Sequence, residues 1–371
     1  MSKLVRVGIT HGDYNGVGYE VILKSLGDES VTELYTPVIF GVKSLLKRGL
    51  EVSGIEGLRV HYVKNSADII DGRINLMEIS QDEIQPLKGE IDKKSGELAV
   101  KALEVAVDAI KEGYIDVLVT APISKEAVQS DKFQFPGHTE FLESKYGDGN
   151  KALMILCNNN LRVALLTIHI PVSKIAEKIT KENIVLAVET FSSVLKRDFG
   201  RERPSIAVLS LNPHSGDGGL IGNEEEEIIK PALQELKEKG ILAFGPYAAD
   251  GFFGHGSFNK FDGVLAMYHD QGLAPFKTLA GSGGVNFTSN LPYIRTSPDH
   301  GTAFDIAWQG KADATSMKEA IYMAIDIFRR RENFDAASAN PLQKHVSDRP
   351  DRGERQEKIN KKPLPSEESH D

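Results

Sequence analysis

Residues 161–171 read LRVALLTIHIP, a nearly continuous apolar run that leads into His169. Two other runs have the same form: residues 205–214 read SIAVLSLNPH, and residues 263–272 read GVLAMYHDQG. A strand covered on both faces is apolar along its length, whereas a half-exposed strand alternates. The three runs therefore predict buried strands of an α/β sheet, and His169, His214 and His269 follow these strands closely.

The position of these three histidines predicts a ligand site. In open α/β sheets, ligands bind just beyond the carboxyl ends of the strands, so imidazoles from three strands can converge there. Three protein ligands with an open fourth position are typical of a catalytic metal rather than a structural one. A lone histidine in such a place is more often a plain loop residue, but the shared context of all three favours one divalent metal.

Comparable patterns recur along the chain. Apolar runs that predict strands occupy residues 5–10, 36–41, 59–63, 115–122, 162–168, 205–211 and 262–268. Amphipathic segments that predict helices occupy residues 96–112, 183–196 and 223–239. Alternating strands and helices indicate an α/β fold with mostly parallel strands.

Composition narrows the class of protein. A chain of 371 residues is long enough for two domains, and its net charge of −9 argues against a sequence-independent nucleic-acid binder. The single cysteine, Cys157, lies in an apolar run, which excludes an intrachain disulfide and a metal site built from cysteines alone. Without a signal-like start or an apolar run of the ~20 residues that a membrane span needs, we expect a cytoplasmic protein with no membrane partner.

Polar motifs follow several of the predicted strands. The first strand leads into THGDYNGVGYE, whose glycines lack the G-x-G-x-x-G spacing of a dinucleotide-binding loop. Lys125 lies just past the strand at 115–122, where it could meet an anion. In FPGHTE, His138 and Thr139 follow a Pro-Gly turn and are adaptable donors for a phosphate or carboxylate, although a plain polar turn has the same form.

The densest stretch of polar side chains begins at Tyr268. Lys277 and Arg295 give it positive charge, and an arginine can hold a phosphate or carboxylate in bidentate fashion. So many polar groups beside a predicted metal ligand favour a ligand site over an ordinary loop. The same stretch contains Asp270, Asn286, Asp299, His300 and Asp305.

From about Phe334 the chain becomes polar and mixed in charge. Residues 334–371 have too little apolar content to offset the entropy lost on ordering, which predicts a disordered tail that is dispensable for chemistry.

Ordered sequence blocks carry a family resemblance. They are GHTEF at 137–141, HIP at 169–171, LNPHSG at 211–216, AMYHDQGLAPFK at 266–277, GVNFT at 284–288, LPYIRTSPDHGTAFDIA at 291–307 and KADA at 311–314. These blocks resemble the 4-hydroxythreonine-4-phosphate dehydrogenase (PdxA) family of vitamin B6 synthesis. The similarity runs in order from about Val5 to Phe328 and leaves out only the tail.

The resemblance implies a fold shared with isocitrate and isopropylmalate dehydrogenases. That fold has two α/β/α lobes with a cleft between them and no standard Rossmann domain. The first lobe, with the cofactor loop, would comprise residues 1–130 and 276–333, and the second, with metal ligands and dimer contacts, residues 131–275. The resemblance also implies a homodimer whose active site lies at the subunit interface.

Site residues and cofactors follow from the same resemblance. The implied metal ligands are His169, His214 and His269, with zinc as the first choice and magnesium or cobalt as alternatives. The implied substrate-binding residues are His138, Thr139, Lys277, Asn286 and Arg295. The segment from His300 to Asp305 is similar to the adenosine-ribose loop of isopropylmalate dehydrogenase, which assigns these two residues to NAD; a helix cap is the alternative role for Asp305. The general base stays open between Lys125 and Asp270.

The implied reaction is NAD-dependent oxidation and decarboxylation of 4-(phosphooxy)-L-threonine to 3-amino-2-oxopropyl phosphate. One alternative is a 4-phospho-D-threonate or erythronate dehydrogenase of sugar-acid breakdown. From other classes, a metal-dependent lyase or hydrolase, or a phospho-ligand-binding protein, would need no nicotinamide.

The chain departs from the family pattern in three places. GDYNGVGYE stands where the family has GDPAGIGPE, AADGFFG from Ala248 stands for PADTxF with Asp250 retained, and Trp308 stands where a glycine follows DIA. We expect these changes near the substrate and cofactor loops, where they leave the metal and phosphate set intact.

Overall fold

The computed structural model describes residues 4–130 and 133–340. The chain divides into two compact units, Met1–Phe334 and Asp335–Asp371. The strands are β1 (Val5–Thr10), β2 (Tyr35–Val42), β3 (Val60–Val63), β4 (Ile74–Ser80), β5 (Val117–Thr120), β6 (Leu153–Cys157), β7 (Arg162–Leu165), β8 (Ser205–Leu209), β9 (Leu242–Tyr247), β10 (Gly263–Ala266), β11 (Val285–Ser289) and β12 (Arg295–Pro298).

Helices surround these strands. They are α1 (Gly18–Ser25), α2 (Lys43–Ser53), α3 (Lys93–Lys111), α4 (Lys125–Val128), α5 (His138–Tyr146), α6 (Ile175–Lys178), α7 (Lys181–Arg197), α8 (Lys230–Glu238), α9 (Ala249–Gly254), α10 (His269–Ala280) and α11 (Thr315–Ser338). Side-chain caps fix where the long ones begin: Asp92 accepts from the Ser95 N–H before α3, and Thr180 accepts from the Asn183 N–H before α7. No helix in the described part of the chain is both long and apolar enough to cross a membrane.

The strands form one sheet of twelve in the order β3-β4-β2-β1-β5-β12-β11-β6-β7-β10-β8-β9. The two ends of the sheet are parallel, as predicted, and β2 is buried along its whole length. The middle is different, because β11 runs antiparallel to both β12 and β6, and β6 runs antiparallel to β7. The expectation of a mostly parallel sheet is therefore confirmed, and the antiparallel strand pairs are confined to the centre.

The sequence did not predict the central strands β11 and β12. Their residues, VNFTS and RTSP, are too polar to predict buried strands. Strand β12 is nevertheless fully buried between β5 and β11. The half-exposed edge strand β9 was missed as well, because its residues LAFGPY include a glycine and a proline.

The strand order groups the segments of the predicted lobes. Strands from residues 1–130 and 276–333 occupy the half from β3 to β11, and strands from residues 131–275 occupy the half from β6 to β9. The lobe boundaries themselves stay a prediction. Helix α11 runs to Ser338, past the predicted start of the tail at Phe334, and residues 341–371 lie outside the described residues.

A buried ion pair joins α11 to the end of α7. Arg331 donates to both carboxylate oxygens of Asp198 at 2.7 and 2.9 Å, and the two side chains are only 10% and 2% exposed. Removing one member of such a buried pair is costly, because the charge of the other member stays buried without a partner.

We therefore expect Asp198→Asn to lower the free energy of unfolding by about 3–5 kcal/mol. The matched control is Glu51→Gln, which removes the exposed partner of Arg48 and should cost less than about 1 kcal/mol. Urea denaturation of both variants measures the difference. Equal losses of unfolding free energy in the two variants would show that the Asp198–Arg331 pair stabilises the protein no more than an exposed ion pair does.

Candidate active site

The three predicted metal ligands follow adjacent parallel strands. β7, β10 and β8 are neighbours in the sheet and parallel, so their carboxyl ends lie at one edge. His169 and His269 come together there, with ring centroids 6.2 Å apart and planes inclined by 43°. His269 is the first residue of α10 rather than a loop residue. Two of the three imidazoles thus share one place on the surface.

His214 lies in a tight turn after β8. Residues 214–218 all have positive φ, which Gly216 and Gly218 adopt easily and the other three residues rarely adopt. Hydrogen bonds of Asn212 fix the start of the turn. Its backbone N–H and its side chain both donate to the buried Glu225 carboxylate. Among residues 4–130 and 133–340, no three His, Cys, Asp or Glu side chains are arranged to hold a metal ion. Grouping His214 with the other two histidines therefore stays a prediction.

His169 and His269 each have a carboxylate beside one ring nitrogen. The Nδ1 atom of His169 lies 2.6 Å from Oε1 of Glu140, and Nδ1 of His269 lies 3.3 Å from Oδ1 of Asp270. Metal-binding histidines commonly engage a carboxylate with one ring nitrogen and the metal with the other. Within residues 4–130 and 133–340, no hydrogen bond involves the Nε2 atom of either ring.

Glu140 is not among the site residues predicted from the sequence. It stands beside the predicted residues His138 and Thr139 in GHTEF, so its adjacency was the only signal. Burial alone would raise the pKa of Glu140, but the hydrogen bond with His169 and the charge of Lys125 outweigh it and lower this pKa. Lys125 itself is exposed at the start of α4, and Asp270 is 79% exposed, so neither candidate base is enclosed.

Arg295 is the centre of a buried polar cluster. Its guanidinium donates to Thr120 Oγ1 at 3.0 and 2.6 Å and to Thr288 Oγ1 at 2.8 Å, and the residue is only 2% exposed. No carboxylate in the described ranges forms an ion pair with it. Burial lowers the pKa of Arg295 to about 10, so the group still carries its charge at neutral pH. A buried cation held only by hydroxyl groups is a ready receptor for an anion.

Three predicted substrate residues border this cluster. Thr139 Oγ1 lies 3.4 Å from Thr288 Oγ1, and Asn286 shares a face of β11 with Thr288, with its buried Oδ1 unpaired among the described atoms. His138 is half-buried, and desolvation together with the Arg295 charge holds its pKa well below the ordinary value. His138 and Thr139 open helix α5, directly after the Pro-Gly turn.

Lys277 belongs to a different set of contacts. Its ammonium donates to the Asp299 carbonyl at 3.0 Å and lies 3.4 Å from the Asp299 carboxylate. Both residues line a cavity of about 350 Å³ together with His300, whose Nε2 is buried without a described partner. The apolar wall of the cavity consists of Val17, Val21, Ala303, Ile306 and Ala312. The cavity is therefore lined by both apolar and polar residues. Asp305 is not part of its lining and is exposed.

Two of the three departures from the family pattern, the GDYNGVGYE segment and Trp308, lie together beside this cavity, whereas AADGFFG falls in helix α9, which does not line it. Trp308 is 4% exposed, and its Nε1 donates to the Tyr14 carbonyl at 2.9 Å while its ring lies 6.1 Å from that of Tyr19. The buried Glu20 carboxylate accepts from the N–H groups of Gln309 and Ala312 at 3.1 and 3.4 Å. The segment that follows the predicted cofactor loop is thus fixed to helix α1.

A larger cavity of about 630 Å³ opens beside His169. Thr139, Glu140 and His169 line it together with apolar residues of β6, β7 and α7 and with further polar residues, among them Lys151 and Asn183. Leu186 on α7 is 50% exposed at this cavity.

Comparison with known proteins places the chain in a family. The family described as "Pyridoxal phosphate biosynthetic protein PdxA" matches residues 33–324. A relative from Bacteroides thetaiotaomicron, named 4-hydroxythreonine-4-phosphate dehydrogenase, is 51% identical over 94% of this chain and 95% of its own length. A relative from Pectobacterium atrosepticum, named D-threonate 4-phosphate dehydrogenase, is 36% identical over 88% of this chain and 100% of its own length.

A solved structure agrees. The crystal structure of 4-hydroxythreonine-4-phosphate dehydrogenase from Klebsiella pneumoniae superimposes with a TM-score of 0.76 at 35% identity, over 88% of this chain and 98% of that one. The resemblance drawn from the sequence blocks is confirmed, and the chain belongs to the PdxA family of pyridoxal phosphate biosynthetic proteins.

Proposed function

We propose that the chain is an NAD-dependent oxidoreductase of vitamin B6 synthesis that converts 4-(phosphooxy)-L-threonine to 3-amino-2-oxopropyl phosphate. The names of the Bacteroides and Klebsiella relatives support this reaction. The observation that carries it is the buried, charged Arg295, which no described carboxylate neutralises and which an anionic substrate would complete.

The proposed reaction requires residues of this chain that bind the substrate and accept a proton. Arg295, Thr139, Thr288 and Asn286 would hold one anionic end of the substrate, and Lys277 would attract another from the neighbouring cavity. His138, kept neutral by its surroundings, can donate or accept a hydrogen bond without adding charge. The C3 hydroxyl would then lose its proton and carbon C3 a hydride, which NAD would accept; the resulting β-keto acid would lose CO₂ and take up a proton at C2. Lys125 and Asp270 are the candidates for the proton acceptor.

The donor set fits a divalent metal. His169 and His269 would hold it, with His214 as the third ligand supplied by its turn. Zinc is our first choice because imidazole nitrogen suits it, and magnesium or cobalt is the alternative. When bound, the metal would lower the pKa of the C3 hydroxyl and polarise the ketone, and NAD would take up the hydride.

We further propose a cytoplasmic homodimer with its active site at the subunit interface. The cavity of about 630 Å³ supports this arrangement, because it places the half-exposed Leu186 next to Glu140 and His169. The two-lobe division at residues 1–130 with 276–333 and 131–275 belongs to the same proposal.

The experiment that tests the reaction is NADH formation by purified, zinc-loaded protein. We expect turnover with 4-(phosphooxy)-L-threonine and NAD, and a kcat/KM at least tenfold lower with 4-phospho-D-threonate. The reverse preference would establish the alternative, which the Pectobacterium relative's name supports. Absence of NADH with both substrates would favour a lyase or a binding protein that needs no nicotinamide.

Cofactor choice gives a second prediction. Asp305 lies exposed near the 350 Å³ cavity, and its carboxylate makes no described hydrogen bond, so the helix-cap alternative gains no support. A carboxylate that faces the adenosine ribose would repel the 2′-phosphate of NADP. We expect a preference for NAD, and Asp305→Ser should narrow it by roughly tenfold, or about 1.4 kcal/mol.

Asp326→Ser is the matched control, because it changes an exposed aspartate of α11 that does not line the cavity. The measurement is kcat/KM with NAD and with NADP for both variants. A ratio that does not move in Asp305→Ser would show that the cofactor is selected elsewhere, and Asp313, which does line the cavity, would be the next residue to change.

A further inference from the structure

We propose that Glu140 is a positioning residue that fixes the tautomer and orientation of His169, so that Nε2 of that ring points to the metal. The proposal deepens the proposed function, because it concerns the metal site assigned there. Its test is therefore built around measurements that need neither substrate nor NAD.

The contact between the two side chains sets the tautomer. Oε1 of Glu140 lies 2.6 Å from Nδ1 of His169. An ionised carboxylate can only accept hydrogen bonds, so Nδ1 must be the protonated ring nitrogen and must donate. The lone pair of a neutral imidazole then sits on Nε2, which is the atom left for a metal.

Glu140 is held by a helix rather than by a loop. It is the third residue of α5, and the next residue, Phe141, is 1% exposed. The Phe141 ring stacks on Phe133 at 5.0 Å and meets Phe135 and Tyr146 edge-on at 5.5 and 5.8 Å. A first turn anchored by this aromatic cluster can hold a carboxylate at a fixed distance from the histidine, which a positioning residue requires.

The second carboxylate oxygen points to function as well. Oε2 of Glu140 is buried and has no hydrogen-bond partner among the described atoms. Native proteins rarely leave a buried oxygen unpaired, so this one is better explained by the ligand site than by stability. Asp270 beside His269 lacks these features, because it is 79% exposed and its contact is longer, at 3.3 Å.

The same helical turn connects the two halves of the site. Thr139 precedes Glu140 and contacts Thr288, which accepts from Arg295. An anion at Arg295 and a metal at His169 would therefore both act on the first turn of α5. Two ligands that favour one arrangement of a shared element strengthen each other's binding.

The experiment compares three proteins: wild type, Glu140→Gln and Glu143→Gln. Glu143 is the matched control, since it lies one turn further along α5, lines the same cavity and accepts from the Ala152 N–H rather than from a histidine. Zinc affinity is measured by competition with a chromophoric chelator, without substrate or NAD. The tautomer of His169 is read in the metal-free protein from nitrogen-15 NMR of the ring.

We expect His169 to be protonated at Nδ1 in wild type and in Glu143→Gln, and to shift towards protonation at Nε2 in Glu140→Gln. Zinc affinity should fall by about 10- to 100-fold in Glu140→Gln and by less than about threefold in the control. An unchanged tautomer or an unchanged zinc affinity in folded Glu140→Gln overturns the proposal. If wild type binds no zinc, the metal of the proposed function fails, and the tautomer alone decides the role of Glu140.

Discussion

A buried guanidinium that no carboxylate in the described part of the chain neutralises is the constraint on which the site depends. Arg295 lies at the start of a central strand, where the hydroxyls of Thr120 and Thr288 are the only described acceptors of its side-chain donors. Charges are rarely buried unpaired in proteins, because desolvation costs several kcal/mol. The cost is tolerable when a ligand supplies the opposite charge, and the surrounding groups are arranged accordingly. Thr139 and Asn286 add polar contacts, and His138 stays neutral beside the cation.

The sheet explains how this receptor meets the histidines. The antiparallel centre, β12-β11-β6-β7, joins two parallel halves, so that Arg295 on β12 and His169 after β7 are brought within reach of one short helix. Helix α5 bridges them through consecutive residues: Thr139 towards the cation and Glu140 towards the imidazole. The cavity that contains Lys277 and His300 lies against α1, where Glu20 and Trp308 fix the adjoining segment.

Much of this was predictable from the sequence, and the failures have physical causes. The apolar runs that end near His169, His214 and His269 are long enough to mark strands, and the structure places all three strands side by side. Strand β12 was missed because RTSP carries no hydrophobic pattern, although tertiary contacts bury all of it. Glu140 was missed because only its distance from His169, which lies 29 residues further along the chain, shows its role. The turn at 214–218 could be foreseen as tight from its glycines, but its position relative to the other histidines could not.

The most direct test of the account is the response of thermal stability to inorganic phosphate. If Arg295 is an anion-binding residue, phosphate should raise the Tm of wild type. At a phosphate concentration 100 times the Kd, the stabilisation should be about 2.7 kcal/mol. Arg295→Met should lose that response, Arg295→Lys should keep part of it, and Arg201→Met, a change at an exposed arginine, should keep all of it. A wild type that phosphate does not stabilise, or an Arg295→Met variant that responds like wild type, would contradict the account.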